Sequence, residues 1–226
     1  ICACLVGSEM CIRDSSREDF SEDTSSFKVP CVIVTTSAEN WSMEELSSVS
    51  IDDEKAGETI VDYLIEHGHT KIAEIGANLE LSQTARLRHN GYLNSLKKHG
   101  ITPDERYYER ARFSYDSAYR AMKKLLEKDI EITAVYAISD VMAIGALRAI
   151  LDKGLRVPED ISITGFDGST LAEYYNPKIV SIRQPHKDMA ARSVELLFNM
   201  IDLHKGSCHE IIPFELTEGE SVARID

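Results

Sequence analysis

The period of the hydrophobic positions changes repeatedly along the chain, and each change marks an element. PCVIVTT (30–36) is a continuous apolar, β-branched run, the pattern of a strand buried on both faces. SSVSI (47–51) is a second, shorter strand. A helical period follows, with Ala56, Ile60, Leu64 and Ile65 on one face,. Asp52 or Asp53 is placed to cap this helix and Gly68 to stop it,. Beyond it the spacing predicts strands over 70–77, 133–139, 161–166, 178–183 and 209–216, and helices over 85–98, 115–128, 140–154 and 186–204. Residues 1–15 show neither period and no capping pattern. They read as foreign sequence joined to the frame, and 17–26 as a polar loop,.

Strands alternating with helices imply βαβ units, an α/β fold and mainly parallel sheets. Ligands of such sheets sit outside the carboxyl ends of the strands, so residues just after strands are the candidates. After 70–77 come Ser82, Thr84, Arg86 and Arg88. Two arginines at i and i+2 cannot share a helix face, so at most one points inward. That one is either a clamp for anions and hydroxyls or part of a solvated first turn. Phe113 precedes the helix 115–128 and either stacks on a flat ligand or belongs to the core. Ser139 and Asp140 follow the strand 133–139, Asp167 follows 161–166 and Gln184 follows 178–183. Asp140 can also simply favour a helix N-terminus. Arg88, Ser139, Asp167 and Gln184 are expected to converge at one sheet edge, a set suited to a polyhydroxylated molecule.

The charge narrows the partners. With 25 basic and 38 acidic residues the formal net charge is −13, so these residues alone are not expected to hold nucleic acid. No apolar run is long enough for a membrane span, and the opening residues lack the basic start of a secretory signal. Cys2, Cys4 and Cys11 have no downstream partners at zinc spacing, and His204, Cys208 and His209 read as a polar loop, so neither metal nor cofactor is expected,. The chain lacks the nucleophile-elbow, phosphate-loop and zinc-protease motifs,. It is not expected to be an enzyme.

DYLIEHGHTKIAEIGA, ARLRHNGYLNSLKKHGI, TAVYAISDVMAIGALRAILDKGLRVPEDISITGFDG and IRQPHKDMAARSVELL together resemble the lactose- and galactose-repressor family of bacterial transcription regulators, over about 29–226. The resemblance implies a periplasmic-binding-protein-like (type I) fold of two α/β lobes with parallel sheets and three crossovers, the effector lying between the lobes. It implies that Arg88 clamps the effector, that Asp167 accepts its hydroxyls, and that Phe113 stacks on it. Ser82, Thr84, Ser139 and Gln184 line the pocket. The helix 140–152 and the segment 170–180 look like homodimer elements. Two departures stand out: Gly168 replaces the family's second aspartate, and Ile179-Val180-Ser181 replaces its usual Leu-Thr-Thr.

By the same resemblance, 27–51 and 184–208 form a remnant of an incomplete N-terminal lobe. Residues 52–183 and 209–226 form the C-terminal lobe, and 1–26 a non-native or disordered segment. Crossovers are expected near Asp52, Gln184 and His209. The remnant sheet is expected to expose unpaired edges, and effector binding to be poor for that reason. The expected function is effector sensing in a cytoplasmic regulator. It binds a sugar-like small molecule and controls operator DNA through a helix-turn-helix absent from these residues. The alternative is a periplasmic sugar-binding protein of a transporter.

Overall fold

The structure, a computed structural model, describes residues 2–6, 9–13, 30–38, 46–204 and 206–225, the first two stretches by their backbone course alone. The loop expected at 17–26 lies outside the described residues. The chain divides into two units: 1–52 with 81–84 and 185–214, and 53–80 with 85–184 and 215–226.

In the first unit, β1 (Cys2–Val6), β2 (Glu9–Arg13), β3 (Cys31–Val34) and β4 (Leu46–Ser50) are joined late in the chain by β10 (His209–Ile211), in the order β10-β4-β3-β1-β2. β1 and β2, within the stretch read as foreign, pair antiparallel, and β1 pairs antiparallel with β3, so the sheet continues past β3. One expectation fails here. The run 209–216, read as one closing strand, is two strands. Pro213 stands where one strand would have to continue and has no N–H to donate,. β10 pairs parallel with β4, so 209–214 stay with the first unit, and the chain leaves it after Phe214 rather than near His209. Helix α6 (His186–Asp202) buries Met189, Leu196 and Met200.

The second unit holds α1 (Asp53–Glu66), β5 (Ile72–Gly76), α2 (Gln83–Lys98), β6 (Tyr108–Arg110), α3 (Tyr115–Glu127), β7 (Ala134–Ala137), α4 (Asp140–Asp152), β8 (Ser162–Asp167), α5 (Thr170–Tyr174), β9 (Val180–Arg183) and β11 (Glu215–Thr217). Its sheet runs β11-β9-β8-β7-β5-β6, parallel throughout except for β11. With this strand order, the general right-handedness of β-α-β crossovers implies α2 on one face and α3 with α4 on the other,. The apolar stripe of α1 is buried at Ala56, Ile60, Val61 and Leu64. Ile65, expected on that face, is only half-buried. Each of the larger aliphatic side chains on the stripe contributes roughly 1.5–3 kcal/mol by burial. Gly68, with φ +95°, ends the helix region as expected. Among the described residues no helix is long and apolar enough to cross a membrane, and no group of His, Cys, Asp and Glu could hold a metal ion.

Candidate functional site

Helix α2 delivers Arg88 because α1 and α2 cross closely. A Cβ at Gly91 would stand 2.2 Å from the Glu54 carbonyl oxygen, and one at Gly57 would stand 2.6 Å from that of Arg88. Only glycines allow this approach. Of the two arginines, Arg86 faces outward and Arg88 is buried. The Arg88 Nε donates to Asp53 Oδ1 at 2.8 Å, and its Nη1 donates to the Ile138 carbonyl at 2.6 Å. Its guanidinium carbon lies 3.5 Å over the Phe166 ring, a favourable place for a cation. Burial works against the Arg88 charge, but Asp53 and then Asp167 outweigh it and raise its pKa.

Asp167 ends β8 in a left-handed conformation, φ +112°, which costs a non-glycine residue about 1–3 kcal/mol. The following turn is pinned from behind. Gly168 N donates to Ser181 Oγ at 3.1 Å, and Ser169 N donates to Asp140 Oδ2 at 2.6 Å. Ser181 Oγ itself donates to Asp140 Oδ1 at 2.6 Å. Gly168 has φ +64°, and a Cβ there would stand 2.5 Å from the Arg183 Cα, so the turn rests directly on β9. The Asp167 carboxylate, thus presented, accepts from Gln184 Nε2 at 2.8 Å and lies 3.7 Å from Arg88 Nη1. Burial pushes its pKa up to about 7, with Arg88 opposing and the Asp140 charge adding to the rise.

This constellation, at the carboxyl ends of a parallel sheet, is where an α/β protein takes a small ligand. A family model described as a periplasmic binding protein-like domain matches residues 61–222. The chain belongs to that family. It is 38% identical over 223 residues to the HTH-type transcriptional regulator MalR of Clostridium butyricum, covering 98% of this chain and 64% of that protein. Among solved structures it resembles a transcriptional regulator CelR–cellobiose complex, with a TM-score of 0.76 and 29% identity over 84% of this chain and 64% of that one. A LacI family transcriptional regulator of Enterococcus faecium with bound ribose gives 0.77 and 25% identity, over 86% of this chain and 71% of that one. The chain spans about half the length of several other curated relatives. Within the family, the resemblance to lactose- and galactose-repressor regulators therefore holds.

In this periplasmic binding protein-like domain, Arg88, Asp167 and Gln184 are brought together as expected from their places after strands. Ser139 is close in sequence but its hydroxyl is used locally, accepting from Met142 N at 3.3 Å as the cap of α4. Phe113 is 48% exposed, so it is not the core residue that was the other expectation. No hydrogen bond or ring contact ties it to Arg88 or Asp167 among the described residues. Ser82 and Thr84 cluster with the first unit, where Thr84 Oγ1 lies 3.3 Å from Thr36 Oγ1. Three residues of the constellation escaped the sequence reading: Asp53 reads as a helix cap, Phe166 as a strand end and Ser181 as a strand residue. Asp140 was placed directly after its strand, with a helix-terminus charge as its other reading.

Proposed function

We propose that the chain is the effector-sensing part of a bacterial transcription regulator and that Arg88, Asp167 and Gln184 hold a neutral, polyhydroxylated effector. The observation that carries the reading is Asp167, a carboxylate presented on a strained, pinned turn between a guanidinium and an amide. Sequence left open whether Arg88 takes an anion or hydroxyls. The charge balance favours hydroxyls. Arg88 contributes one positive charge, which Asp53 already balances, so Arg88, Asp53 and Asp167 together sum to zero with Asp167 protonated and −1 with it ionised, and the Asp140 carboxylate adds no positive charge to that. A carboxylate or a fully ionised phosphate ester group would meet no net attraction there and would bring no donor of its own for an ionised Asp167. A sugar brings several. Gln184 Oε1, buried without a partner, is a further acceptor on the same amide that binds Asp167.

Effector binding would be coupled to operator DNA through a helix-turn-helix, the element named in the relatives. A thousandfold change in DNA affinity needs about 4 kcal/mol of differential binding, within reach of two or three state-specific hydrogen bonds. Homodimerisation fits the exposed Leu151 of α4 and Leu171 and Tyr174 of α5, and the regulator would act in the cytoplasm. The relatives carry regulator names, which supports this reading over a transporter's binding protein. The test is calorimetric titration with maltose, cellobiose and ribose. Asp167→Ala is expected to abolish the heat of any sugar that binds while leaving the dimer intact by ultracentrifugation. Unchanged binding in that variant would mean that the pocket lies elsewhere.

A further inference from the structure

Glu74 sits in the middle of β5 and is wholly buried. Its neighbours in register are Tyr108 on β6 and Tyr136 on β7, and Tyr136 in turn pairs with Thr164 on β8. Residues directly paired across strands point to the same face, so Tyr108, Glu74, Tyr136 and Thr164 form a polar row across four strands. That face is the one covered by α2, because His89 Nδ1 lies 2.6 Å from Glu74 Oε2 and Tyr92 stacks on Tyr136. The row ends at Val180 on β9, where it becomes apolar.

Three of its polar atoms have no partner: Glu74 Oε1, the Tyr136 hydroxyl and Thr164 Oγ1. All three side chains are wholly buried. The nearby hydroxyls cannot serve them, since Tyr92 donates to the Ile72 carbonyl and Tyr108 to the Ala77 carbonyl. One orphaned buried group is unusual in a folded protein, and these three belong to side chains on adjacent strands of one face. The group that satisfies them must both donate to a carboxylate and exchange hydrogen bonds with two hydroxyls, and it must be small. Water has that chemistry and typically takes two to four such partners when buried.

We propose that Glu74, Tyr136 and Thr164 form an internal hydration site, in which ordered water bridges the carboxylate and the two hydroxyls beneath α2. The bridge completes the coordination of Glu74, whose other oxygen is held by His89. It backs the effector floor as well, because Ile138, two residues beyond Tyr136, supplies the carbonyl that receives Arg88.

The test uses Tyr136→Phe, Thr164→Val and the double variant of the whole 226-residue chain, with crystals of the wild type fine enough to order internal water. Density within hydrogen-bond distance of at least two of the three atoms is expected. Each single variant should lower the melting temperature by about 2–4 °C, the range for roughly 1 kcal/mol in a chain this size. The double variant should lose less than the sum, because both hydroxyls serve one bridge. A dry site gives the opposite sign: removing an unsatisfied hydroxyl raises the melting temperature. A direct Tyr136–Glu74 bond gives a split result, with Tyr136→Phe destabilising and Thr164→Val stabilising. Either result, or the absence of density, overturns the proposal. Phenylalanine keeps the ring packing of Tyr136, and the crystallographic arm needs no variant at all.

Discussion

Asp167→Asn keeps the size and shape of the side chain and its ability to accept from Gln184, and removes only the charge. In the wild type, burial lifts the carboxyl from its ordinary 3.8 to about 7. A folded pKa above the unfolded value means that the protonated acid supports the fold fully below about 3.8, and that this support is lost as pH rises through about 7. The full rise corresponds to roughly 4 kcal/mol held against the ionised form. The side chain is 30% exposed, so solvent screening brings the effect down to about 1–2 kcal/mol. Asparagine does not ionise. The variant should therefore match the wild type near pH 4 and exceed it at pH 8, by about 2–8 °C in melting temperature. The same variant should bind effector at least about tenfold more weakly, since a sugar hydroxyl loses a charged acceptor worth about 1.5–3 kcal/mol. Differential scanning calorimetry from pH 4 to 8, followed by sugar titration, measures both. Parallel melting profiles across that range would refute the burial argument.

The supporting residues make separate predictions. Gly91→Ala drives a methyl group into the Glu54 carbonyl and should destabilise the chain by about 1–3 kcal/mol or more in denaturant titration; an unchanged midpoint would mean that α1 and α2 do not cross as closely as described. Ser181→Ala removes one donor to Asp140 and the acceptor of Gly168 N. It should cost about 1–3 kcal/mol and weaken effector binding, and a loss of stability with binding unchanged would mean that the turn holds Asp167 without it. Arg88→Lys keeps the charge but loses the planar fork that reaches Asp53 and Ile138 together,. A loss of about 2–4 kcal/mol is expected by the same titration.

The elements around the site were legible because period and length agree there: buried β-branched runs between helices of a dozen or so residues can form little else than a parallel sheet. Arg88, Asp167 and Gln184 were legible for a related reason, as polar residues placed directly after strands. Asp53 was not, because an acid at the start of a helix already has a local explanation, and its true partner lies 35 positions away. Glu74 carried a warning in plain view, a carboxylate in the middle of the run TKIAEIGA. A charge inside a doubly buried strand must find a partner, but nothing local identifies it as His89. The pairing of β1 with β2 has no alternation to betray it, whereas the break between β10 and β11 is marked by Pro213.

These observations bear on why the site is built at a cost to the empty chain. Asp167 holds a left-handed backbone and a partly desolvated carboxylate, and each opposes folding by a kcal/mol or more. Neither penalty can be removed by moving the turn, because Ser181, Asp140 and Gly168 hold it against β9. Gln184 already donates to the carboxylate, and further relief has to come from a donor arriving from outside. A ligand shifts an equilibrium only by its difference in affinity between states, and a carboxylate left short of donors is a direct source of such a difference. Arg88 does not fill that role, because its Nη1 stands 3.7 Å from Asp167 Oδ1, beyond hydrogen-bond distance, while its Nε and Nη1 donate to Asp53 and Ile138. The arginine therefore fixes the floor, and the aspartate is the part of the site that responds to an effector.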